Sequence, residues 1–269
     1  MKVKTSTRAE RALALKVKRF LTTTSKKAPE LSTFLGSLRP LGEVVIFGGL
    51  LRNALLYGLH SFRSDIDLVV LISDEDLNRA IHRFRPGMNA FGGYRLRANS
   101  YEVDVWALSS TWAFRTGLVA GGTIEDLVRT TFFNWDAIAF SLESERLIHT
   151  EHYIDDIRNR YLDIVLAENP NPAGMVKRAL RLMQATSGTI SPRLVRYLVE
   201  HGESMRPAEL SNEKGWAPLE SYFNPRNIIP ILKHHLSRSS DRPFTTERQL
   251  AFWKQADTSR GNRRRLGHA

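Results

Sequence analysis

Asp65 and Asp67 stand two residues apart at the start of an apolar run, DIDLVVLI. In an extended strand, side chains at i and i+2 share a face, so the two carboxylates project together while Ile66 and Leu68 point the other way. Adjacent carboxylates repel and are costly where water is excluded. A divalent cation removes that cost, and Mg²⁺ is held by one or two carboxylates together with substrate phosphate oxygens. Two such ions would activate an attacking hydroxyl and stabilise the pyrophosphate that leaves in an in-line displacement. A third acid is expected on a neighbouring strand. The stretch SYEVDVWAL offers Glu102 and Asp104, again on one face. Asp104 lies deeper in the apolar run and is preferred, with Glu102 in reserve. The plainer alternative for the acid pair is a rim strand with solvated carboxylates.

Upstream, EVVIF (residues 43–47) reads as a buried strand running into Gly48 and Gly49, after which LLRNALLY has a helical pattern. Glycines at a strand-to-helix turn let phosphate oxygens approach bare backbone, and the helix N-terminus adds free N–H groups and a favourable dipole. Arg52, one turn in, is placed to contact a triphosphate, and Ser64 beside the acids is grouped with these nucleotide-binding residues. Taken alone, a glycine pair is ordinary turn chemistry. The succession of strand, glycine pair, helix and acid strand is more specific.

These residues need elements to position them. A helix over STRAERALALKVKRFLTTT, capped by Ser6 or Thr7, would present Ala9, Leu13, Leu15, Val17 and Leu21, and a second would begin at Pro29 in PELSTFLGSL. After DIDLVVLI, SDEDLNRAIHRF reads as a helix capped by Ser73, and FGGYRLRA and SYEVDVWAL as neighbouring strands. From about residue 109 the pattern turns mostly helical: TIEDLVRTTFF, NWDAIAFSL, YIDDIRNRYLDIVLAEN, AGMVKRALRLMQA, SPRLVRYLVEHG, NPRNIIPILKHHL and TERQLAFWKQA. The expected fold class is therefore α+β, with a small mixed-sheet head followed by a mostly helical domain. The expected divisions are a basic arm over 1–30, a head over 31–150, a helical neck and body over 151–257 and a basic tail over 258–269.

The 269 residues, 42% of them hydrophobic, suffice for a sizeable core. There is no cysteine, which excludes disulfides and thiolate metal sites. No apolar run is long enough to span a bilayer, so no membrane association and a cytoplasmic location are expected. The formal net charge is +11. Residues 1–30 hold nine Lys or Arg against two acids, and the last twelve residues hold four arginines and no acid. In between, 26 bases meet 26 acids, so the excess sits on the two ends. Such ends suit a polyanion such as RNA, through counterion release; they also suit solubility alone, and an Arg- and Ser/Thr-rich start also suits an organelle transit peptide. His234 and His235, adjacent on a helix, face different sides. His149 and His152 have metal-compatible spacing without a third ligand. Most of the tryptophans are candidates for the core.

GGLLRNALLYG and SDIDLVV resemble the glycine motif and the metal-binding acid pair of the DNA polymerase beta superfamily of nucleotidyltransferases, most closely the head of bacterial CCA-adding enzymes and poly(A) polymerases. NWDAIAFSLESERLIH is similar to that family's Asn-Ala-Leu-Ala segment and the hairpin after it, and MVKRALRLM to the arginine-containing helix that opens its neck. The resemblance implies transfer of a nucleotide from an NTP with two Mg²⁺ ions and release of pyrophosphate. It places Gly48 and Gly49 on the triphosphate, Asp65 and Asp67 on the metals, and Arg178 and Arg181 near the incoming nucleotide. The chain also departs from the pattern. Arg-Asp in the glycine motif is Arg52-Asn53, Asp136 stands where the family has asparagine, TTFF replaces Arg-Arg-Asp-Phe, and Met175 replaces the first neck arginine. The expected partners are an NTP and an RNA 3′ end, tRNA-like among them. The alternatives are nucleotidyl transfer to a protein, small molecule or nucleotide, as in a toxin with its antitoxin, and a non-catalytic RNA-binding relative.

Overall fold

The structure, a computed structural model, describes residues 7–60, 62, 64–89, 91–203, 205, 219 and 221–246. They fall into two units divided at Ile157, with Val165–Glu168 belonging to the first. Helix α1 (Arg8–Lys27) belongs to the first unit and opens on a capping box, in which the Thr7 hydroxyl accepts the Glu10 N–H and the Glu10 carboxylate accepts the Thr7 N–H. Its buried side chains are Leu13, Val17, Phe20 and Thr24, a stripe at helical spacing. Leu15, expected on the apolar face, is 47% exposed because it falls a half-turn away from that stripe. The positive charge of α1 is partly spent within the unit: the Lys18 ammonium is 2.7 Å from the Glu145 carboxylate, and Lys16 donates to the Ala54 carbonyl at 3.2 Å.

Glu10 also meets the His149 ring at 2.8 Å. Partial burial pushes the Glu10 pKa up, but hydrogen bonds from the Thr7 N–H, His149 and the Thr7 hydroxyl outweigh it, so Glu10 titrates below the ordinary carboxylate value. A carboxyl with a depressed folded pKa contributes stability above its unfolded pKa and loses it as pH falls through the folded one. Glu10→Ala is expected to lower the Tm at pH 7 by about 2–4 °C, the shift that loss of a cap produces in a chain of this size. The deficit should shrink below about pH 4, where the wild-type carboxyl begins to protonate. Thermal unfolding followed by circular dichroism across that range checks both statements.

Helix α2 (Pro29–Leu38) carries Pro29 in its first turn and buries Leu31, Phe34 and Leu38. Strand β1 (Val44–Phe47) then leads into helix α3 (Gly49–Leu56), strand β2 (Ile66–Val70) and helix α4 (Asp74–Ile81), whose Ser73 hydroxyl accepts the Asp76 N–H as its cap. Strands β3 (Gly87–Met88), β4 (Tyr94–Ala98) and β5 (Tyr101–Ala107) and the short helices α5 (Trp112–Arg115) and α6 (Ile124–Leu127) follow. NWDAIAFSL, expected to be helical, is a single 3₁₀ turn over 134–136 and then strand β6 (Ile138–Ser141), paired antiparallel with β1 and with strand β7 (Leu147–His149). The reason is burial: every residue from Thr131 to Leu142 is buried, and a short apolar run carries no periodicity that separates a two-sided strand from a helix. The hairpin implied by the family resemblance is the one observed.

The seven strands are ordered β3-β4-β5-β2-β1-β6-β7, with β2 and β5 parallel and every other neighbour antiparallel. On one face, Val44, Ile46, Ile66, Leu68, Val70, Val103 and Val105 are buried. On the other, Val45, Val69 and Ala139 join Leu108, Ile124, Leu127, Val128 and Ile148 in a second apolar cluster. The expected long helix over YIDDIRNRYLDIV is shorter, α7 (Tyr153–Arg158), and gives way to strand β8 (Tyr161–Leu162).

The second unit, among the described residues, is mostly helical. Helix α8 (Pro172–Thr186) is capped by Asn171, α9 (Pro192–Gly202) by Ser191 and α10 (Pro225–Arg238) by Asn224, each with proline in its first turn. Strands β9 (Thr189–Ile190) and β10 (Phe244–Thr245) complete a small sheet with β8. His235 is buried and its Nε2 lies 2.9 Å from the Arg242 carbonyl, a packing role. The basic tail, Trp216, Trp253 and the helix expected beyond Thr246 lie outside the described residues. The fold class is α+β, as the sequence implies.

Candidate active site

The pairing register builds the site. Asp67 lies opposite Phe47 on antiparallel β1 and opposite Asp104 on parallel β5, and Asp104 lies opposite Arg95 on antiparallel β4. Phe47, Asp67, Asp104 and Arg95 therefore stand abreast across four strands spaced about 4.8 Å apart. Opposed residues share a face, and two positions further along β1 and β2 that face carries Val45 and Val69 of the apolar cluster. The face is dry toward one end and acidic toward the other. Asp65 immediately precedes β2 on the acidic side, with its side chain 43% exposed, and Ser64 before it is exposed. The Asp104 side chain is 7% exposed. Glu102 shares its face but is exposed and lies opposite Arg97.

The glycine turn reaches the same end. Since Phe47 pairs with Asp67 in an antiparallel ladder, the chain leaving β1 arrives at Gly48 and Gly49 beside the start of β2. Gly48 adopts φ +67° and ψ −117°, a conformation that a Cβ makes strained, and its N–H is held by the Ile138 carbonyl at 2.9 Å. Helix α3 starts at once, its first turn closed by Leu51 and Arg52 N–H groups on the Gly48 carbonyl. Gly48 and Gly49 are thus brought to the acids.

Arg52 is placed differently from the expectation. Its guanidinium turns inward and is buried against the Asp136 carboxylate, while its Nε donates to Asn53 Oδ1 at 3.2 Å. It therefore lies beneath the glycine turn, holding it from below, instead of reaching out to a triphosphate. Asp136, from the segment before β6, thus supplies the acid beside Arg52, where Asn53 offers only an amide. Tyr153 is fully buried nearby, donating to the Trp135 carbonyl at 3.1 Å; burial, and then the Asp136 charge, push its pKa well up.

Arg95, which residue spacing alone does not single out, bridges two carboxylates of the acidic face. Its Nε donates to Asp104 Oδ1 at 2.7 Å and its Nη2 to Asp104 Oδ2 at 2.6 Å, and Nη2 lies 3.4 Å from Asp65 Oδ2. The hydrogen bonds to Asp104 raise the Arg95 pKa further above its already high value. A signal was available: in YRLRANSYEVD the two-residue turn Asn99-Ser100 sets a hairpin register that lays Arg95 and Arg97 against Asp104 and Glu102.

For a divalent ion the donor set is of the right kind. Asp65 and Asp67 offer hard carboxylate oxygens at the rim, with Asp104 opposite Asp67 but engaged by Arg95. Among the described residues, no group of three or more His, Cys, Asp or Glu side chains is arranged to hold a metal ion. His149 is engaged by Glu10 and the Thr150 carbonyl. Arg178 and Arg181 lie one turn apart on α8 in the second unit, Arg181 buried. Among the described residues no helix is long and apolar enough to cross a membrane.

No protein-family model and no curated protein matches the sequence. Solved structures do resemble it. A CCA-adding enzyme in complex with CTP is 22% identical over 60% of this chain, with a TM-score of 0.45. A tRNA nucleotidyltransferase complexed with a primer tRNA and an incoming ATP analogue is 19% identical over 72% of this chain and 58% of its own, with a TM-score of 0.48. The apo form of a tRNA-processing enzyme is 17% identical over 89% of this chain and 68% of its own, at 0.49. The chain spans 39% of the CCA-adding enzyme.

Proposed function

We propose that the chain is a metal-dependent nucleotidyltransferase that moves a nucleoside monophosphate from an NTP to an acceptor, releasing pyrophosphate. The observation that carries this reading is the convergence, at one end of adjacent strands, of Asp65, Asp67 and Asp104 with the Gly48–Gly49 turn. Asp65 and Asp67 would hold Mg²⁺, two ions in the full arrangement, with Asp104 as the third carboxylate and Glu102 in reserve. Bound Mg²⁺ would neutralise phosphate charge and acidify the attacking hydroxyl. The chain's own groups bind and orient. Gly48, its own N–H held by the Ile138 carbonyl, makes the turn that brings the triphosphate to the start of α3, where Gly49 would offer its backbone N–H; Arg52 supports that turn through Asp136, and Ser64 borders the acids. Arg178 and Arg181 are assigned to the incoming nucleotide through the family resemblance.

The acceptor we favour is an RNA 3′ end. Support comes from a globular region of balanced charge flanked by basic ends. The replacement of Arg-Arg-Asp-Phe by TTFF keeps a protein or small-molecule acceptor in contention. Incubation with each labelled NTP, Mg²⁺ and either total RNA or cell extract decides between them. Label on RNA that disappears in Asp65→Ala and Asp67→Ala supports the RNA acceptor, whereas label on protein or on a small product reassigns it. Absence of transfer to any acceptor overturns the enzyme reading.

A further inference from the structure

We infer that Arg95 is a built-in stand-in for the cation: its guanidinium holds Asp104 and reaches Asp65, so that a divalent ion gains Asp104 only by displacing it. This inference rests on the metal-dependent reading above. The geometry makes the two occupants exclusive. Arg95 takes both Asp104 oxygens in a fork, at 2.7 and 2.6 Å, and approaches Asp65 Oδ2 at 3.4 Å, so that both Asp104 oxygens are already engaged.

Burial explains why a stand-in is needed. The Asp104 side chain is 7% exposed and cannot turn to water, so without a cation its charge would lie uncompensated opposite Asp67. Arg95 itself is 46% exposed, so its head can swing out to solvent when another cation arrives. Neighbouring β4 residues frame it without competing: Tyr94 and Leu96 are buried on the opposite face, and Arg97 lies against Glu102. The fork holds the acids together before metal binds, and it weakens metal binding because each ion must first undo it. Arg95 is thus a positioning residue that acts through Asp104.

Binding of Mn²⁺ alone, without nucleotide, to the full chain by titration calorimetry tests this, together with thermal unfolding in the presence and absence of Mn²⁺. Arg95→Gln removes the charge and the fork, and Arg95→Lys keeps the charge without the fork. Arg95→Gln is expected to bind Mn²⁺ about tenfold more tightly than wild type, with a lower Tm in metal-free buffer that Mn²⁺ largely restores. Arg95→Lys should fall between the two and serves as the folded comparison if Arg95→Gln is unstable. Equal Mn²⁺ affinity in wild type and in a folded Arg95 variant overturns the stand-in role and leaves the metal-dependent reading in place. If no form binds Mn²⁺, both fail. Binding by the variant alone supports the stand-in most strongly.

Discussion

Asp136→Ala is expected to destabilise the protein by about 3–5 kcal/mol, because it leaves the buried Arg52 guanidinium without its counter-charge beneath the Gly48 turn. The loss should appear in urea unfolding as a lower midpoint with an unchanged slope. Arg52→Ala should cost a similar amount. The double variant Arg52→Met/Asp136→Leu should lose much less than the two costs added together, since it removes both buried charges and replaces them with apolar volume. The family resemblance suggests a further check. Restoring the expected pattern with Asn53→Asp in an Asp136→Asn background returns an acid beside Arg52, and should recover part of the lost stability. Simple additivity of Arg52 and Asp136 substitutions would remove the pair from the account.

Asp67→Asn is expected to lower nucleotidyl transfer by about 10²–10³-fold, an effect comparable to removal of one major electrostatic contributor at a transition state. The amide keeps the size of the carboxylate but loses the charge that a metal ion requires. Asp67 faces Asp104 across the β2–β5 ladder and is two residues from Asp65, so neutralising it also removes like-charge repulsion. The variant should therefore stay folded without metal while activity falls. Steady-state incorporation of labelled nucleotide, measured beside thermal unfolding, separates this from misfolding, in which both would fall together.

Much of the site could be read from residue types and spacing. The i, i+2 acids, the glycine pair ending a strand, the caps at Thr7 and Ser73 and the first-turn Pro29 depend on local geometry, and local geometry is what a short stretch specifies. The side-chain partnerships were harder. Arg52 looked like a phosphate ligand because a charged residue in the first turn of a helix behind a glycine turn has that chemistry available. Its burial depends on Asp136, 84 positions away, which only the packed sheet brings near. Arg95 was legible in principle through the register of a two-residue hairpin, but alternation in YRLRA by itself describes an exposed rim. Ile138–Ser141 misled for a different reason: a strand buried on both faces carries no polar alternation. In α1 the stripe shifted from Leu15 to Phe20 because a helix with apolar residues on several sides lets tertiary contacts choose the buried face.

Asn53 and Asp136 illustrate why departures from a motif need a structure. Each alone reads as damage to a phosphate-binding turn. Arg52 and Asp136 form one buried ion pair, and Gly48 adopts its φ of +67° close to it.

The acids at the mouth of β2 and β5 are proposed to carry nucleotidyl transfer. Pyrophosphate release from each of the four NTPs, followed with Mg²⁺ and RNA for wild type and for Asp65→Ala, tests it most directly. The account predicts pyrophosphate production by wild type that requires Mg²⁺ and an acceptor and is abolished by Asp65→Ala. Pyrophosphate release that survives Asp65→Ala, or none from wild type with any NTP and acceptor, would contradict it.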